Sequence, residues 1–435
     1  MKPPPAPGTS RVRTAAWVLY DLANTVYAAM VTFLFTPYAR QVLDDKLSGV
    51  GWANFASMVI AAVLVPICGA IADHTGRAHR YLTIATLVCI AAMCGIGADF
   101  GSFWMLLCFG VANLTYNLGL LFYNSLLPAV ATSARSGFVS GIGVGVGYLG
   151  TILVLVTLVG THFDSNVKFW LAGATFLAFA LPCMLLVKNP RRQTTAPARV
   201  VVREAMTSLG RTLRELPGDR QLLLFLVGNF CLVDVLNTAV LYFADFTLDT
   251  FRPASQAGTL LLFGKQFAGQ DGLDGFLQVM GLGLNLLALV FGCVLGAFTD
   301  RRPLGVMRVS AVALLGALVG GSWFAGRDPL GYFASLVMLG AFGLAGIWTA
   351  GRKLVLLLAP ADRVGQYFGL YGITVKLSVI GSVVYAQVAD AWGSQAGMLA
   401  QSVQLLIGLG CLCLLRKPER TEEDPQGSAR APLPA

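Results

Sequence analysis

GAIADHTGRAHR, residues 69–80, lies between two long apolar runs, and GAFTDRRP, residues 296–303, lies between two others 227 residues further on. Gly69 and Asp73 of the first stretch return as Gly296 and Asp300 of the second. Two more echoes keep the same order. DLANT, with Asp21, Asn24 and Thr25, returns as DVLNT, with Asp234, Asn237 and Thr238; LLPAVATSARSGFVSG, from residue 126, returns as LLLAPADRVGQYFGLYG, from residue 356. Three echoes in the same order point to one unit duplicated along the chain.

Hydropathy says what that unit is. The 435 residues are 56% hydrophobic and 12% charged, where a soluble domain carries about 25% charge. A soluble globular protein is thereby excluded. A spanning helix needs about 20 apolar residues, and runs of that size fall near 14–39, 50–72, 81–98, 103–128, 137–160 and 167–187, then near 221–247, 275–299, 305–324, 330–351, 365–389 and 396–415. The expected fold is an all-α membrane protein of twelve transmembrane helices in two pseudo-symmetric six-helix bundles, residues 1–187 and 221–416. Residues 188–220 read as a cytoplasmic linker with an amphipathic helix, because Val202, Ala205, Met206, Leu209, Leu213 and Leu216 recur at helical spacing opposite arginines. Residues 417–435, polar and proline-bearing, read as a disordered cytoplasmic tail.

The net charge of +9 is scattered between apolar runs, so its partner is the anionic membrane surface and not nucleic acid. With both termini inside, 24 Lys and Arg fall in cytoplasmic segments and 6 in outer loops, which sets both termini in the cytoplasm. The N-terminus shows no cleavable signal peptide. The nine cysteines lie in apolar runs without a CxxC pair, and His74, His79 and His162 do not cluster within a span. They predict small core residues, no metal, no catalytic site and no cofactor. The GxGxGxG text at Gly141–Gly147 has no preceding strand and no following lysine, so it reads as helix contact and not as a phosphate loop.

Polar side chains inside hydrocarbon need a partner or a wet cavity. The fourth span puts Asn113, Tyr116, Asn117 and Asn124 on one face; the first carries Tyr20, Asp21, Asn24 and Tyr27; the seventh Asp234 and Asn237; the eleventh Tyr371 and Lys376. These are the candidate substrate-binding or coupling residues. Asp234 and Lys376, the deepest charges of two spans in one half, are expected to pair. Asp245 is expected near the surface, solvated.

GAIADHTGRAHR resembles the loop between spans two and three of the major facilitator superfamily, through Gly69, Asp73, Gly76, Arg77 and Arg80. Across most of the chain, WVLYDLANTVYA, LFYNSLLPAVA, VDVLNTAVLYFAD and FGLYGITVKLS resemble the autophagy-related vacuolar amino-acid effluxers and their bacterial relatives, with Thr25 where serine is usual. The resemblance implies a secondary carrier, with amino-acid release known for the fungal branch. Gly69, Asp73, Gly76, Arg77, Arg80, Gly296, Asp300 and Arg301 then form gating loops that break and remake as the halves rock.

The expected function is alternating-access movement of a small polar or zwitterionic solute, amino-acid-like, facilitated or secondary active, with proton coupling compatible. Its partners are the solute and the bilayer, the protein a monomer, its location the bacterial plasma membrane. The competing carrier reading is import of a larger envelope-derived or metal-chelating molecule of muropeptide or siderophore class. A receptor or scaffold would call for long extramembrane domains, which the sequence lacks.

Overall fold

The computed structural model describes residues 11–98, 100–130, 136–188, 220–358 and 364–416, with scattered positions between 200 and 219. Its helices are α1 (Arg11–Val42), α2 (Ser48–Thr75), α3 (Ala78–Ile96), α4 (Ser102–Ser125), α5 (Ser136–Thr157) and α6 (Ser165–Leu186), then α7 (Arg220–Gln256), α8 (Gly269–Arg301), α9 (Pro303–Phe324), α10 (Pro329–Leu358), α11 and α12 (Ser394–Leu414). Among the described residues, eleven are long and apolar enough to cross a membrane, and α5 adds a shorter apolar stretch, Val146–Thr157. Side chains such as Trp52, Ile60, Ile84, Leu107, Val312 and Val403 are exposed, the surface expected of helices solvated by lipid.

Three departures from the predicted spans matter. First, α11 is broken into Val364–Leu377 and Ile380–Trp392. Second, α1 and α10 each contain a π-helical segment, Val31–Phe35 and Phe333–Leu339, of the kind that recurs at functional sites. Third, α7 has 37 residues, about 55 Å at 1.5 Å per residue, and overruns its predicted end near 247. It leads into a two-stranded ribbon, β1 (Leu261–Leu262) and β2 (Lys265–Gln266), turned by Phe263 and Gly264 at φ 49° and 76°.

Within the first half, α1 packs on α5 and α6, and α3 on α4; within the second, α7 packs on α12 and α9 on α10. Glycines set the α1–α5 approach. A Cβ at Gly143 would lie 3.1 Å from Asp21 Oδ2, and one at Gly147 3.3 Å from Thr25 Cγ2. The halves meet through α2 against α11, α5 against α8, and the end of α1 against α7. Cys89, Cys108, Cys183 and Cys231 are buried as expected, whereas Cys293 and Cys413 are exposed. Lipid contact there satisfies a thiol as well as a core does. Of the linker, Val200, Val202, Arg203, Thr207, Gly210 and Arg214 are helical; the rest of the predicted amphipathic helix, and the tail 417–435, lie outside the described residues.

Candidate functional site

The break in α11 organises the centre of the molecule. Splitting a spanning helix exposes carbonyls at one end and amides at the other, and in hydrocarbon these need protein partners. The Gly381 N–H donates to both carboxylate oxygens of Asp234 at 2.9 Å. Asp234 also accepts from Gln404 Nε2 at 2.6 Å. Asn237 Nδ2 donates to Ser378 O at 2.9 Å, Gln401 Nε2 to Gly381 O at 3.2 Å, and Tyr242 OH to Ser382 O at 3.2 Å. Asp234 therefore caps the second half of α11 from a neighbouring helix, where its charge also meets the positive end of the helix dipole.

The expected Asp234–Lys376 pair does not form. Lys376, on the other side of the break, donates from Nζ to Asn117 Oδ1 of the opposite half. Among the described residues it has no ion pair. A buried carboxylate is drawn to whichever donors are fixed closest, and the Gly381 amide at the break, shared between both oxygens, together with Gln404 outcompetes a long flexible ammonium.

From Asn117 a relay runs back across the interface. Asn117 Nδ2 donates to Asn113 O at 2.8 Å; Asn113 Nδ2 donates to Asn54 Oδ1 at 3.0 Å and to Ser57 Oγ at 2.9 Å; Asn54 Nδ2 donates to Ser382 Oγ at 3.1 Å. The loop Lys376–Asn117–Asn113–Asn54–Ser382 thus links both sides of the break through the first half.

Other predicted residues are less gathered. Tyr27 stacks on Tyr116 at 4.2 Å, beside this relay. Asn24 is buried on the same helix, and Asp21, one turn earlier, is half-buried and enters no ion pair among the described residues. Tyr20 turns away: its hydroxyl is 2.6 Å from Thr86 Oγ1 and its ring stacks on Tyr123. Asn124 is exposed near the end of α4, too far along the helix to join the asparagine stripe. Tyr371 is buried near Phe225, their ring centroids 6.3 Å apart. In the loops, Gly76 ends α2 at φ 59°, Gly69 and Gly296 are half-buried, and Arg77, Arg80 and Arg301 are exposed. The side chains of Asp73 and Asp300 lie outside the described residues.

Sequence reasoning missed the strongest contact between the halves. At the end of the bundle remote from both termini, Arg40 Nε and Nη2 donate to Asp245 at 2.5 and 2.7 Å, and Nη2 also to Ser394 Oγ at 2.9 Å. Asp245 is 1% exposed, so the expectation of a solvated aspartate is overturned. Beside it, Asp390 accepts from the amides of Leu47 and Ser48 at 2.7 and 2.9 Å, at the start of α2. Gln278 Nε2 donates to Leu155 O at 3.0 Å and to Val159 O at 2.5 Å. The interhalf hydrogen bonds between described residues lie at this distal end or at the depth of the relay. Arg40 follows a long apolar run, where an arginine normally anchors to headgroups, so spacing alone gave no signal. Gln401 and Gln404, one turn apart in an apolar span, were a legible one.

The family model of the major facilitator superfamily matches residues 22–375. The chain belongs to the major facilitator superfamily. It is a multi-pass membrane carrier and not an enzyme. Among relatives in this superfamily, an uncharacterized MFS-type transporter, YxiO, of Bacillus subtilis (strain 168) is 24% identical over 433 residues, covering 94% of this chain and 95% of that one. Autophagy-related protein 22-1 of Aspergillus niger is 26% identical over 312 residues, covering 65% of this chain and 47% of its own. In fold, the chain is similar to the nucleoside transporter NupG, with a TM-score of 0.70 at 15% identity over 94% of this chain and 100% of that one. It is equally similar to a bacterial homolog of the human lysosomal transporter Spinster in an inward-facing, unoccupied conformation, with a TM-score of 0.70 at 13% identity over 94% of this chain and 98% of that one.

Proposed function

We propose that this carrier moves a small zwitterionic solute, amino-acid-like, through a site between its halves by alternating access. The observation that carries the reading is the state of Lys376. Asp234 is held by fixed neutral donors and Arg40 is paired with Asp245, while among the described residues Lys376 meets the neutral amide of Asn117 across the interface. A half-buried ammonium without a counterion is costly, and a solute carboxylate is the group that relieves it. Asp21, half-buried and without an ion pair among the described residues, offers the complementary charge for an amine from the first half. Asn24, Tyr27, Asn113, Tyr116 and Asn117 supply hydrogen bonds, and Tyr371 lies further toward the termini.

Closure at the distal end fits one extreme of a rocking cycle. The Arg40–Asp245 pair and the Asp390 caps part in the other extreme, while the loops at Gly69–Arg80 and Gly296–Arg301 close the side of the termini. The excess of Lys and Arg on that side argues for cytoplasmic termini in a bacterial plasma membrane, with the protein a monomer. Proton coupling through Asp21 is compatible with this arrangement. No resident cofactor enters the cycle. The test is uptake of radiolabelled amino acids into liposomes holding the purified protein: Lys376→Gln should abolish uptake while the protein keeps its melting temperature. Uptake at the wild-type rate would overturn the reading.

A further inference from the structure

The distal end carries a second cleft that the central site does not use. A small cleft of about 130 Å³ opens there between the halves. Phe33, Leu34 and Leu248 are among its apolar lining, Lys168 of α6 lines it from the first half, and Asp274 of α8 lines it from the second. Both charged residues are half-buried. Asp274 lies within electrostatic reach of Lys168, His162 and Asp271, but Lys168 and Asp274 form no ion pair among the described residues. Asp274 accepts instead from Gln270 Nε2 at 3.0 Å, and His162 Nδ1 lies 3.9 Å from Asp271. Two opposite charges, one from each half, therefore face a shared space without closing on each other.

We propose that this cleft is a second binding site, taking a small zwitterion with an apolar side chain whose carboxylate meets Lys168 and whose ammonium meets Asp274. The choice of ligand rests on the zwitterionic reading above; the position rests on the cleft alone. Gly160 lines the same cleft, and a Cβ there would lie 3.1 Å from Gln278 Nε2. The site thus borders the Gln278 clasp between α8 and α5. A ligand bridging Lys168 and Asp274 adds to that clasp and favours the closed distal end, and closure in turn raises its affinity. The solute on the distal side then restrains the carrier that handles it.

Thermal unfolding of the purified full-length protein, titrated with L-leucine, tests this. The Lys376→Gln background removes the central cation. In that background L-leucine should raise the melting temperature, and Lys168→Gln or Asp274→Asn should shift the half-maximal concentration upward by about tenfold or more. L-leucinamide, which lacks the carboxylate, and N-acetyl-L-leucine, which lacks the ammonium, should not raise it in the Lys376→Gln protein. The exchanged pair Lys168→Asp with Asp274→Lys should regain the response to L-leucine, which a merely misfolded variant would not. No response in the Lys376→Gln protein, a response untouched by neutralising the cleft, or equal responses to the blocked analogues would each overturn the proposal. Identical responses in wild type and Lys376→Gln, both lost when the cleft is neutralised, would count against the central site and leave this one standing.

Discussion

The same five-residue text, DxxNT, is spent differently in the two halves. In α7, Asp234 is buried and bonded to Gly381 N and Gln404, Asn237 holds Ser378 O, and Thr238 lies against Gly381. In α1, Asp21 is half-buried beside Gly143, and Thr25 donates to Gly147 O. Each motif faces the fifth helix of its own half. The difference lies in that helix: α5 is continuous, so it offers no free amide, while α11 is broken and presents Gly381 N. A carboxylate beside an intact helix stays available to a solute. A carboxylate beside a broken one becomes part of the frame.

The largest effect expected from this contrast is on stability. Asp234→Ala strands Gly381 N–H and Gln404 Nε2, at about 1–3 kcal/mol for each buried donor left unpaired, and should lower the melting temperature of the purified protein sharply. Stability equal to wild type would show that α11 holds its break without the cap. Gly381→Ala comes next. A Cβ there would lie 2.7 Å from Thr238 Oγ1 and 3.0 Å from Asp234 Oδ1, and overpacking of this kind costs about 1–3 kcal/mol. A neutral result in chemical denaturation would mean the break can shift to make room. Asp21→Asn should fall below about 1 kcal/mol in the same assay, since it removes no buried ion pair, yet it should weaken solute binding. A loss as large as that of Asp234→Ala would erase the distinction between the halves.

The twelve spans were legible because a bilayer fixes helix length and forbids charge, and the repeat was legible because duplication leaves text. The break in α11 was not. VKLSVIGSVV, residues 375–384, interrupts its apolar residues only with Lys376, two serines and a glycine, so hydropathy runs through it, and its irregularity follows from partners on α7 and α12 far away in sequence. The same distance hid Arg40–Asp245: each residue read alone as an end-of-span charge, and only their meeting across 205 positions makes a buried pair. Asn113 and Asn117 were found by helical spacing, which survives folding. Asn124 shared that spacing but lay too far along α4 to reach the centre. Tyr20 sat next to the motif and turned toward Thr86.

A smaller effect sharpens the comparison further. In the double-mutant cycle of Asp234→Asn with Lys376→Gln, the interaction term should lie within about 0.5 kcal/mol of zero, as for sites without a shared contact. A term above about 1 kcal/mol would restore the direct pairing that the break in α11 displaces.

The central claim is that Lys376, which has no ion pair among the described residues, awaits a solute carboxylate. Calorimetric titration of the purified carrier with the amino acid it takes up, beside that amino acid's neutral amide, tests it most directly. Charge-assisted hydrogen bonds contribute about 1.5–3 kcal/mol, so the account predicts that the acid binds wild type about ten- to a hundredfold more tightly than the amide, and that Lys376→Gln removes the preference. Equal affinity of acid and amide for wild type, or a preference that persists in Lys376→Gln, would contradict it.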